Sequence, residues 1–159
     1  MNGAHWHLAL NHLPIIFPLV GLLVLITGFI SKSAAVKRTA LFIFTLGAIS
    51  TIAAMSTGEG AEEVVEEIAG VTKHYIEEHE EIAETFALLS YLLGAMSLIG
   101  LWADFKQKTF SKALYLLILF FSIVVLVMGR QTGTTGGEIR HTEIRTESAV
   151  PGEEAAAHD

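Results

Sequence analysis

Apolar residues gather into four runs of membrane-spanning length, at 13–30, 40–56, 82–102 and 113–128. A bilayer core takes about 20 such residues as a helix, and about 17 suffice. Backbone groups inside hydrocarbon must be paired within their own segment, so each run predicts a helix. The pattern therefore predicts an all-α fold, a four-helix transmembrane bundle. Between spans two and three the pattern turns amphipathic. It predicts two short helices on the outer side, broken at Gly70-Val71-Thr72, the first prolonging span two and the second, 73–84, running straight into span three.

Prolines and glycines refine this picture. Pro14 is tolerated if regular helix begins near Leu13, because a first-turn proline loses no helical hydrogen bond, whereas Pro18 either kinks the helix or sits just past that turn. Gly58 and Gly60 predict a loosened or kinked helix beyond span two. Gly21, Gly28, Gly47, Ala48, Gly94 and Ala95 suit close helix contacts in lipid. After span four the glycines of 129–137 permit tight backbone and positive φ. Ile139, His141 and Glu143 then alternate with Arg140 and Thr142, which predicts an extended strip. Residues 1–145 thus form one membrane domain, and 146–159 an acidic tail that is mobile or binds a partner.

Charge sets the orientation. Lys32, Lys37 and Arg38 follow span one, and Lys106, Lys108 and Lys112 follow span three, together a majority of the 10 Lys and Arg. Short basic loops face the cytoplasm. Both termini and the connection between spans two and three then lie outside, which in a bacterial inner membrane is the periplasm. No basic segment precedes the first run and no small-residue cleavage site follows it, so it reads as a retained span, with Trp6 in the interfacial aromatic belt. All seven histidines, and every acidic residue except Asp104, fall on that outer side or at its boundary.

Composition excludes several chemistries. With no cysteine there are no disulfides, thiolate metal sites, cysteine-ligated iron–sulfur clusters or covalently attached haem. A formal net charge of −7 argues against nucleic acid as a partner. No His-Glu-x-x-His motif, hydrolase nucleophile signature or phosphate-binding glycine loop is present.

The outer face holds the candidate chemistry. Glu59, Glu62, Glu63 and Glu66 recur at i, i+3, i+4 and i+7, one stripe of a helix whose like charges call for a cation or a proton. Read blandly, the stripe is a solvated face. His12 stands at the mouth of span one, where a polar group is costly and often functional. His79 shares a helix face with Ile82, Ala83, Phe86 and Leu89, and has Glu78, Glu80 and Glu84 nearby. His141 follows the glycine segment, with Arg130, Arg140 and Arg145 placed to neutralise carboxylates or haem propionates.

Nitrogen and oxygen ligands together suit a transition metal ion such as iron, zinc or copper, for which the expected set is His12, Glu59, Glu62, His79 and His141. Haem b is the other use of these histidines, with His12 and either His79 or His141 as axial ligands and Arg140 beside a propionate. Either cofactor implies a redox, electron-transfer or metal-handling subunit, with the lipid bilayer, other subunits of a membrane redox complex or a second copy of the chain as partners. The alternative is a non-catalytic accessory subunit of a larger complex. A proton pathway needs ionisable groups inside the spans, where Ser50, Ser90, Tyr91 and Ser122 are the main polar side chains.

The opening stretch His7-Leu8-Ala9-Leu10-Asn11-His12-Leu13-Pro14-Ile15 resembles a family of small bacterial four-span membrane proteins. That family opens on a histidine, four residues, a second histidine, an apolar residue and a proline. The acidic stretch after span two and the Gly-Gly-Glu-Ile-Arg-His end resemble its Bacteroidetes-type members. Fusion of some relatives to iron–sulfur domains implies redox work. The family's usual His-Pro dipeptide is His7-Leu8 here, and no residue roles come with the signature.

Overall fold

A computed structural model describes residues 3–145. The described chain is all-helical and contains no strand. Its helices are α1 (Gly3–Leu10), α2 (Leu13–Ile30), α3 (Ala34–Val65), α4 (Lys73–Phe105) and α5 (Ser111–Glu138), with a 3₁₀ turn at Thr142–Ile144. Four helical stretches are long and apolar enough to cross a membrane, the first being α1 and α2 taken together. At about 1.5 Å per residue the 33 residues of α4 reach about 50 Å, well beyond a hydrocarbon core of about 30 Å. The surplus lies where the sequence turns amphipathic, so the predicted outer helices are extensions of α3 and α4. They part at Gly70, whose φ of 84° reverses the chain.

Helix α2 packs on α3 and α5, α3 on α4, and α4 on α5, which closes an up-and-down ring. Leu25, Leu41, Phe44, Leu93, Ile118 and Val125 fill its centre and are all but inaccessible. The outward faces carry Ile26, Phe42, Ile49, Leu88, Leu98, Leu117 and Phe120, each at least 40% exposed. A water-soluble surface rarely carries so continuous an apolar girdle, which suits lipid contact.

The helices approach closely where one side is small. A Cβ at Gly94 would collide with that of Ala48, and a Cβ at Gly21 would lie 2.7 Å from the Phe44 ring. Ala95, expected at such a contact, is exposed instead.

The two turns at the basic end share one design. In each, the sixth residue's amide bonds back to the first residue's carbonyl: Ser33 to Gly28 at 3.2 Å, and Lys108 to Ala103 at 2.8 Å. That motif needs a left-handed residue after the helix, usually glycine. Here Lys32 (φ 52°) and Gln107 (φ 50°) occupy it.

Two expectations are corrected. Helix α5 continues through Gly129, Gly133, Gly136 and Gly137 to Glu138, and the residues expected as an extended strip form a turn after that helix and then a 3₁₀ turn. Glycines weaken an isolated helix, but here they admit neighbours. A Cβ at Gly129 would press the Phe86 ring at 3.1 Å, and one at Gly136 the His79 ring at 3.0 Å. Helix α3 likewise runs unbroken past Gly58 and Gly60, and a Cβ on Gly3 would strike the Gly60 backbone, so these two glycines let α1 dock on α3. The acidic tail, with His158, lies outside the described residues.

Candidate functional site at the histidine end

Chain direction brings the starts of α1 and α4 and the ends of α3 and α5 to one end of the bundle. Pro14 shapes the approach. It has no N–H to give Leu10, so the helical ladder fails there and the chain turns at Asn11-His12 before α2 begins. Helix α1 then lies against α3, with Gly3, Ala4, His7, Leu10 and Asn11 as its covered side.

His7 is half-buried on that side. Its Nδ1 lies 3.2 Å from the Ala54 carbonyl and 3.2 Å from Thr57 Oγ1, both on α3. A carbonyl only accepts, so Nδ1 carries the proton. The neutral ring therefore presents an unprotonated Nε2.

His79, on α4, is fixed in the same way against α5. Its Nδ1 lies 3.1 Å from Thr135 Oγ1. The Thr135 hydroxyl spends its own proton on the carbonyl of Gln131 or of Thr132, each at 3.3 Å, so its oxygen accepts from His79. Gly136 leaves room for the imidazole beside the helix. The charge on His7 reaches His79 across the bundle end. Among the described residues neither Nε2 has a hydrogen-bond partner. The Oδ1 of Asn11, at the same end, is buried and likewise unpartnered among them.

The residues singled out from the sequence are spread more widely. His12 is exposed, and its carbonyl starts α2 by accepting from Ile15 and Ile16 at 3.2 and 3.0 Å. His141 is exposed and pairs with Glu143 at 2.9 Å. Glu143's own amide, and then His141, hold its carboxyl below the usual carboxylate range. Arg140, Glu59, Glu63 and Glu66 are exposed. Glu62 is partly exposed and feels the charge of the exposed Glu80 on α4, a repulsion that a proton or a cation relieves. Among the described residues, no three His, Asp or Glu side chains converge as a ligand set for a metal ion.

Arg145 is committed elsewhere. It donates to the carbonyls of Glu138 (2.8 Å), Ile139 (3.0 Å) and Gly70 (3.3 Å), and its guanidinium lies 4.1 Å over the Tyr75 ring. It ties the segment after α5 to the α3–α4 connection.

Of the expected set, then, His79 alone is inside the packing and fixed against another helix. His7, placed by the sequence with the other histidines on the outer side or at its boundary, is anchored in a similar way. A signal for it existed: Gly3, Ala4, His7, Leu10 and Asn11 recur at helical spacing, so they share one face of α1 that begins with small residues. The chain matches no protein-family model, no curated protein and no solved structure.

Proposed function

We propose that this chain is a membrane redox or metal-handling subunit whose histidine end holds haem b or a transition metal ion through His7 and His79. The observation that carries the reading is the pair of anchored rings, each held at Nδ1 against a neighbouring helix, with no partner for Nε2 among the described residues. Ligating histidines are oriented this way, the far nitrogen donating to a carbonyl or another acceptor. Two imidazoles suffice for haem b, whose iron takes its other ligands from the porphyrin. A bare ion would need a third protein ligand, and among the described residues no three His, Asp or Glu side chains converge, so haem b is the use these residues favour. The unpartnered Asn11 oxygen supports a bound group at this end, since buried polar atoms normally find a partner. With the basic turns in the cytoplasm, the site faces the periplasm of a bacterial inner membrane.

The test is to purify the protein in mild detergent from its own membrane and record oxidised and reduced visible spectra beside metal content. The reading expects a Soret band or metal in stoichiometric amount. A colourless, metal-free protein that stays so after reconstitution with haem, iron, zinc and copper overturns it.

A second reading, an accessory subunit, is favoured by a cleft of about 670 Å³ between α4 and α5, apolar at Ile82, Ile123 and Val127 and polar at Glu78, Arg130 and Glu138. That profile suits a partner's single span with a polar end.

A further inference from the structure

The opposite end of the bundle has a site of its own, independent of the histidines. Arg38 of α3, Asp104 at the end of α4, and Lys108, Thr109, Ser111 and Lys112 around the start of α5 line an open cleft of about 480 Å³. Arg38 and Asp104 are paired within it. Three cations against one carboxylate leave the cleft with an excess of two positive charges. The start of α5 adds hydrogen-bond donors. Phe110 at its N-cap has no side-chain acceptor, and among the described residues the amides of Lys112 and Ala113 meet no carbonyl. Helix starts carry partial positive charge, so cations, amides and hydroxyls here all favour an oxyanion.

The rim decides which oxyanion. Trp102, Phe105 and Phe110 are 52%, 65% and 47% exposed beside the cleft. Lys108 Nζ stands 5.6 Å from the centre of the Trp102 ring, and the Arg38 guanidinium 4.7 Å from that of Phe105. Exposed aromatics with cations above them mark the level of lipid headgroups. A free phosphate would have no use for this apolar rim. A phospholipid would, with its phosphate in the cleft and its glycerol and acyl chains along the aromatics.

We propose that the cleft between Arg38, Lys108 and Lys112 is a binding site for the phosphate of an anionic phospholipid. The excess charge selects an anionic lipid over a zwitterionic one, which carries the same phosphate but also its own cation.

The test adds phosphatidylglycerol, phosphatidylcholine or inorganic phosphate to the full-length protein in detergent and reads bound species by native mass spectrometry. Phosphatidylglycerol is expected to be retained in preference to phosphatidylcholine, with inorganic phosphate not retained. A lysine near an anionic lipid surface is worth about fivefold in affinity, so Lys108→Gln with Lys112→Gln should weaken retention on the order of 30-fold. Lys32→Gln, exposed at the same end but outside the cleft, should leave it unchanged. Equal retention of the two lipids by the unaltered protein overturns the proposal, as does an equal loss in Lys32→Gln. Retention of inorganic phosphate without lipid would assign the cleft to a free anion and overturn the lipid assignment.

Discussion

Exchanging one methyl group between α3 and α4 probes the bundle most sharply. A Cβ added at Gly94 would overlap that of Ala48, whereas carbons in contact sit about 3.5–4.0 Å apart. Gly94→Ala must therefore push the helices apart or shift one along the other, at about 1–3 kcal/mol, against which alanine's better helix propensity returns about 1 kcal/mol. Ala48→Gly alone loses a methyl contact and adds a glycine, about 1–2 kcal/mol in all. In the double variant the methyl moves to the other helix and the contact is refilled, so its stability should return to within about 0.5 kcal/mol of the unaltered protein. The coupling between the sites is then about 2 kcal/mol and favourable. Reversible unfolding in mixed micelles with rising SDS, followed by far-UV circular dichroism, measures all four proteins. Additive losses, leaving the double variant the least stable of the four, would refute the Gly94–Ala48 contact.

Lys32→Gly and Gln107→Gly should each stabilise the fold by up to about 1 kcal/mol in the same assay, because glycine adopts the left-handed conformation of these two turns without strain. Arg145→Ala should free the segment after α5, raising hydrogen exchange at residues 139–145 and at the Gly70 turn while 86–103 stay protected, since its bond to the Gly70 carbonyl and its Tyr75 contact join the two. Gly136→Leu should displace His79 from Thr135 and cost cofactor occupancy with little loss of helix content, because the added side chain takes the space of the imidazole. Thr135→Val should do so more mildly, on the order of tenfold in affinity, by removing the acceptor that fixes the ring.

The spans were legible because lipid leaves the backbone no alternative to internal pairing, so a run of apolar residues is almost a helix by definition. The start of α2 at Leu13 followed from Pro14, and the break at 70–72 from Gly70. The end of α5 was not legible. Glycine and threonine in 129–137 argue against helix on propensity alone. What holds them is external: Phe86 and His79 fill the glycine gaps, while the threonine hydroxyls are satisfied within the helix on carbonyls one turn back, Thr132 to Met128 and Thr134 to Arg130 at 3.0 Å each. His79 was legible as a residue on the apolar side of its helix, since Phe86 on the same face is buried. The spacing of Gly3, Ala4 and His7 marked a docking face on α1, but not what it docks on, because that depends on the approach of Gly3 to Gly60, two residues far apart in the chain. Proximity to the first span drew attention to His12, but the turn that Pro14 imposes leaves it in the open.

The central claim is that the working imidazoles are the anchored pair and not the exposed ones. Cofactor bound per polypeptide in His7→Ala, His79→Ala, His12→Ala and His141→Ala, each purified alike and checked for helix content, tests it directly. Occupancy should collapse in the first two and persist in the last two. Full occupancy without His7 and His79, or loss confined to His12 and His141, would contradict it.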